Sequence, residues 1–410
     1  MAQVIVLGAG MVGVSTALAL QSRGHQVSLV DRRGIGRETS YGNAGAIQTE
    51  AVEPYAFPRD LPSILKVVLK RTNDVNWHLS SLGDFAAPLL RYWSHSAPTS
   101  HARISKFYAQ IVQKADLCHQ PLIEASGMRH LIEHGGYRCL FRTPALFEAA
   151  VTGAERVKAA WGVDFTAEDG ATLAAAEPNL RCALAGAIHY GQVWTCRSPG
   201  ALTAAYGRLF VARGGKFAYG DAQSLGQKGA GWHVRTEEGL EEAEHVVLAL
   251  GPWSDQLALR FGYRIPLLRK RGYHRHYQLD KGPRTAILDA ERGTFLARMD
   301  QGLRLTTGAE LTRRDGLIDL AQLKRSEAAA RELFGALRPV ETDPWFGDRP
   351  VIPDMLPVMG SAPNHSGLWF HFGHGHQGFT AGPSSAKIFA DLFDGVESEL
   401  TQGLSPRRFL

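Results

Sequence analysis

Uninterrupted apolar residues at Val4-Ile5-Val6-Leu7, closed by glycine, read as a strand buried on both faces. The pattern over residues 11 to 23, stopped by Gly24, reads as a helix, and residues 26 to 30 read as a second strand. Together they predict one βαβ unit. Later segments share this character: residues 201 to 213 as a helix stopped by Gly214-Gly215, and residues 244 to 250 as a buried strand stopped by Gly251-Pro252. Residues 367 to 372 then give a strand that leads through a glycine-rich loop into a helix over 380 to 393.

These pieces are scattered from end to end, so the predicted nucleotide domain is discontinuous, built from residues 1–80, 198–258 and 345–410. Residues 61 to 130 carry amphipathic helical periodicity, and residues 259 to 310 carry alternating strand patterns, among them 273 to 279 and 302 to 307. A second domain of mixed sheet and helices is therefore expected over 81–197 and 259–344. The fold class is α/β with a Rossmann-like first domain and an α+β second domain. No internal repeat or low-complexity linker interrupts this plan.

The chemistry begins at Gly8-Ala9-Gly10-Met11-Val12-Gly13, directly after the first strand. In such a turn the first glycine permits the bend, the second admits a pyrophosphate, and the third lets helix pack on strand. The positive end of the helix then faces phosphate. Asp31, 18 residues after Gly13 and followed by Arg32, is placed to accept hydrogen bonds from ribose hydroxyls. The next loop, Glu38-Thr39-Ser40-Tyr41-Gly42-Asn43-Ala44-Gly45, is rich in small residues. The Thr39 and Ser40 hydroxyls suit phosphate or ribityl oxygens, and Gly42, Ala44 and Gly45 leave backbone free to lie against a flat ring system. Near the other end, Gly375-His376-Gln377-Gly378-Phe379-Thr380 opens the last helix, where backbone N–H groups suit a flavin carbonyl and the helix dipole suits an anionic reduced ring. No metal site is expected at its histidines, which lack a converging carboxylate or cysteine.

These motifs, with Gly251-Pro252-Trp253-Ser254, Gly272-Tyr273 and Arg349-Pro350, resemble the D-amino-acid dehydrogenase group of the FAD-dependent amino-acid oxidase superfamily, which includes glycine oxidase and sarcosine oxidase. The resemblance spans essentially the whole chain. It implies a noncovalently held FAD and removal of hydride from the α-carbon of a small D-amino acid, a proline derivative among the options, to flavin N5. By the same resemblance Arg349 clamps the substrate carboxylate, Tyr273 adds a hydroxyl to that anchor, Gly251 and Trp253 line the flavin side, and Ala222 takes the adenine-contacting place where valine is usual. The alternatives are oxidation of an N-substituted glycine or opine, or the FAD subunit of a hetero-oligomeric dehydrogenase. The electron acceptor is oxygen, a quinone or a partner protein.

Composition narrows the remaining classes. Lys and Arg number 45 against 40 Asp and Glu, a net +5 without long basic runs, which argues against nucleic acid. Arg269-Lys270-Arg271 with His274, Arg275 and His276 is the densest basic cluster, readable as a guide for an anion, a contact with acidic lipid or a solvated face. The four cysteines lack disulfide or metal spacing, and no apolar run is long enough to span a bilayer. A cytoplasmic enzyme is expected, with peripheral contact at the inner face of the membrane left open.

Overall fold

A computed structural model describes residues 1–409. Gln3–Leu7 is a strand with four consecutive buried residues, paired in parallel with Gln26–Asp31 on one side and His245–Leu248 on the other. Lys216–Lys228 and Leu368–Phe372 extend this parallel core, which has antiparallel strands at both edges, eight strands in all. Apolar clusters cover both faces, as buried parallel strands require. The helix Met11–Ser22 packs against Gly382–Phe393 and Pro199–Ala212, so the first glycine turn and the last glycine loop lie over the same end of the sheet.

A second, eleven-stranded mixed sheet is centred on Leu268–Gln278, which pairs with Gly302–Thr306 and Ala309–Leu311 on one side and with Trp345–Val351 on the other. Its core is closed by the helix Ala321–Phe334, whose Leu323, Ala330 and Leu333 meet Tyr277, Leu296 and Leu305. A small three-stranded sheet of Ala46–Ile47, Trp194–Cys196 and Ile132–His134 lies outside both.

The domain boundaries differ from those expected at three places. Val75–Trp77 and Trp345–Val351 belong to the second sheet, because each finds its backbone partners there. The helices Pro98–Val112 and Ala115–Ala125, expected in the substrate domain, bury Ile104, Ile111, Ala115 and Ile123 in the same cluster as Val14, Leu18 and Phe389 of the nucleotide domain. Amphipathic periodicity fixes which face of a helix is buried, while the partner surface is chosen by tertiary contacts. The basic cluster is neither a solvated face nor a lipid contact: Lys270, Arg271, His274 and His276 are all buried, and the strand that carries them is interior to its sheet.

Candidate active site

One cavity of about 1390 Å³ runs between the two sheets and is lined by Gly8 and Asp31 at one end and Lys270 and Arg349 at the other. That exceeds the usual range for a single small ligand, roughly 300 to 1,000 Å³. Gly8, Gly10, Met11 and Val12 form part of its wall, whereas Ala9 and Gly13 stand behind it. Gly8 has φ +104°, and a Cβ on Gly13 would lie 1.8 Å from the Gly8 carbonyl oxygen, so both glycines are demanded by the turn and by helix packing. No acidic side chain occupies the first turn of Met11–Ser22, and the N–H groups of Gly10, Val12 and Gly13 have no protein acceptor among the described residues. This is an anion cradle.

Asp31 faces the same wall. Its carboxylate accepts from the N–H of Ala9 at 2.8 Å and of Arg33 at 2.8 Å. Burial raises its pKa, and the two backbone donors partly oppose that. Arg32 lies 4.7 Å over the Trp253 ring, and these two residues with Ala222 and Gly251 line the adjoining stretch.

The Thr39–Gly45 loop contributes differently from expectation. Thr39, Ser40, Gly42, Asn43 and Ala44 line the cavity, but the Thr39 hydroxyl donates to the Asp348 carbonyl and Ser40 Oγ accepts from Met11 N–H at 2.9 Å. Both hydroxyls therefore tie the loop to neighbouring backbone. Gly42 makes room for Trp345, whose ring would lie 1.9 Å from an added Cβ, and Gly45 lies against Cys196, outside the cavity wall. At the other end, Gly375, His376, Gly378 and Phe379 line the cavity. Gln377 and Thr380 stand behind, holding Gln48 and Ala46. The N–H groups of His376, Gly378, Phe379 and Thr380 have no protein acceptor among the described residues. His374 engages Ser385 at 3.0 Å.

Arg349 sits directly opposite Lys270 in the pairing of Trp345–Val351 with Leu268–Gln278. Its guanidinium lies on Gly272, where an added Cβ would approach Nη2 to 2.4 Å, and it donates to the carbonyls of Gly308 and Thr307. No carboxylate pairs with it among the described residues. Burial lowers its pKa to about 10, opposed by the nearby Asp348 carboxylate.

Tyr273 borders the same cavity as Lys270 and Gly272, but side chains alternate along a strand, so its hydroxyl turns with Arg271 to the opposite face. The Tyr273 hydroxyl donates to Glu310 Oε2 at 2.6 Å and accepts from Asp319 N–H; Glu310 also meets His78. A hydroxyl so committed is not free for a substrate.

Tyr55 was not singled out in the sequence, yet it holds the free hydroxyl that Tyr273 lacks. It lines the cavity with 62% of its surface exposed. Its carbonyl accepts from the Tyr92 hydroxyl, and its ring meets His376 edge-on at 5.8 Å. Burial pushes the Tyr55 phenol up to about 12, so the hydroxyl keeps its proton at neutral pH. His376 is held well below the usual imidazole range by burial and then by Arg349 and Lys270, which leaves it neutral. Lys270 was visible in the sequence as a member of the basic cluster Arg269-Lys270-Arg271; Tyr55 lies in an irregular segment and gave no pattern.

The profile of the family described as FAD dependent oxidoreductase matches residues 3–392. The chain is 32% identical to a D-amino acid dehydrogenase of Paramagnetospirillum magneticum over 99% of both chains. It is 29% identical to a D-amino-acid oxidase of Bradyrhizobium diazoefficiens, again over 99% of both. Among solved structures, glycine oxidase from Geobacillus kaustophilus superposes with TM-score 0.75 at 19% identity, covering all of both chains. L-proline dehydrogenase from P.horikoshii gives 0.73 at 16%, covering 99% of this chain and 97% of that one.

Proposed function

The chain belongs to the FAD-dependent oxidoreductase family, with FAD as its cofactor, and on that premise we propose that it oxidatively deaminates a small D-amino acid, giving an imino acid. The observation that carries this reading is the half-buried guanidinium of Arg349, without a carboxylate partner among the described residues, in a cavity continuous with the dinucleotide cradle. A planar fork with free donors in a desolvated wall fits a carboxylate. The Tyr55 hydroxyl, open to the same space, supplies the second donor.

When bound, FAD supplies the acceptor for the hydride leaving the α-carbon. The chain's part is positional: Arg349 and Tyr55 fix the carboxylate and so orient the α-carbon, and the enclosing walls exclude water. The substrate reacts as the neutral amine, whose nitrogen lone pair assists bond breaking, so no strong protein base is required. The imino acid then hydrolyses to an oxo acid and ammonia. The N–H groups of Gly10 and Val12 would hold the pyrophosphate, Asp31 the ribose and the 376–380 backbone the ring end. The final electron acceptor would be oxygen, a quinone or a partner protein; no described helix is long and apolar enough to cross a membrane.

Anaerobic flavin bleaching by a panel of D-amino acids, their L enantiomers, glycine, sarcosine and D-proline tests the reading. Bleaching by D enantiomers is expected. Bleaching by secondary amines alone would move the substrate class to N-substituted glycines, and bleaching by none would overturn amino-acid oxidation.

A further inference from the structure

Arg349 is not the sole cation in the substrate end of the cavity. Lys270, directly across the strand pairing from it, is only 9% exposed and lines the same wall. Its Nζ lies 4.3 Å from the centre of the Tyr92 ring. Among the described residues no carboxylate pairs with it. The charges acting on it are like-signed, Arg349 beside it with His376 neutral nearby, and burial together with Arg349 lowers its pKa to about 8. Burying an unpaired ammonium beside a guanidinium is unfavourable for the protein alone. One α-carboxylate neutralises one of the two positive charges. The other is matched once a ligand carries a second anionic group.

We infer that Lys270 is a specificity residue that receives a second carboxylate of the substrate, so that the preferred substrates are amino dicarboxylates: amino acids with an acidic side chain, or amines bearing two carboxymethyl groups. This rests on amino-acid oxidation at Arg349 and narrows it. The Lys270 ammonium is compact and its stem flexible, so it follows a carboxylate at variable distance, whereas the Arg349 fork fixes the reacting one. The Tyr92 ring holds the ammonium by its face and offers no competing negative charge.

The test uses FAD-loaded enzyme in two measurements. Dissociation constants for succinate and malonate are compared with those for acetate and propionate by perturbation of the flavin absorbance. Turnover of D-aspartate, D-glutamate and iminodiacetate is compared with that of D-alanine. Wild type should favour the dicarboxylates. Lys270→Met should lose that preference roughly tenfold or more, as removal of a charged hydrogen-bond partner implies. Lys270→Arg should keep most of it, and FAD content should be normal in both variants. Equal binding of mono- and dicarboxylates by wild type overturns the assignment, as does an equal loss on both classes in Lys270→Met; either result leaves amino-acid oxidation standing. Dicarboxylate binding that depends on Lys270, with no amino acid turned over, sustains the assignment and overturns the reaction instead.

Discussion

Arg349 has its guanidinium plane pinned on Gly272 and two donors spent on backbone carbonyls, which leaves the rest of the fork directed by the fold. Arg349→Ala should therefore lower kcat/KM on the best amino acid by about 30-fold or more, the effect of removing a charged partner from a desolvated carboxylate. Arg349→Lys keeps the charge without the fork and should fall between the two. FAD content should be unchanged, and the amide of the same substrate should discriminate little between wild type and variant. Equal losses on acid and amide would remove Arg349 from the anchor. The two cations also differ in titration. Burial and Arg349 bring Lys270 down to about 8, while Arg349 stays charged up to about 10; the other groups facing Lys270, His376, Tyr55 and Tyr92, are uncharged over this range. Protonated lysine is the binding form, so succinate affinity should weaken as pH rises through about 8 while acetate affinity holds until about 10. Parallel pH profiles for the two anions would contradict that order.

Among the elements, the glycine-rich loops are where sequence and structure diverge most. The Gly8–Gly13 turn was legible because Gly8 and Gly13 answer to backbone constraints that hold before any ligand binds: a positive φ, and a helix laid on a strand. The 39–45 loop was read as a platform for a ring system, but its glycine at 42 accommodates Trp345, whose indole stacks on His274 at 4.8 Å. Small residues announce a close approach without naming what approaches. Tyr273 failed for a related reason, since a motif places a residue on a strand while the pleat decides which side its hydroxyl reaches. Gly42→Ala should drive Trp345 and His274 apart. It should destabilise the protein by about 1 to 3 kcal/mol, the usual range for an overpacked interior, and weaken FAD retention because the displaced indole lines the cavity. Differential scanning calorimetry and dialysis against FAD-free buffer measure the two effects; an unchanged unfolding temperature would mean that the loop yields without cost.

For the molecule as a whole, the α/β plan and the discontinuity of the nucleotide domain followed from buried strand runs at residues 3 to 7, 244 to 250 and 367 to 372. The allocation of Pro98–Val112 and Ala115–Ala125 did not, because it depends on contacts with Val14, Leu18 and Phe389 far away in sequence. Both sheets contribute to one cavity, so FAD bound there would contact both and should stabilise them together. At a free FAD concentration about 1,000 times its Kd the gain is about 4 kcal/mol. Removing FAD should then lower a single cooperative unfolding transition seen by both fluorescence and circular dichroism; two separated transitions in the FAD-free protein would show that each sheet region holds its own stability. The wall that begins at Gly8 is completed only by Gly378 and Phe379. A ribosome making this protein must thus pass Phe379 before a finished cradle exists. Cofactor capture follows synthesis of that last loop, and the early βαβ unit must survive translation until then on its own packing.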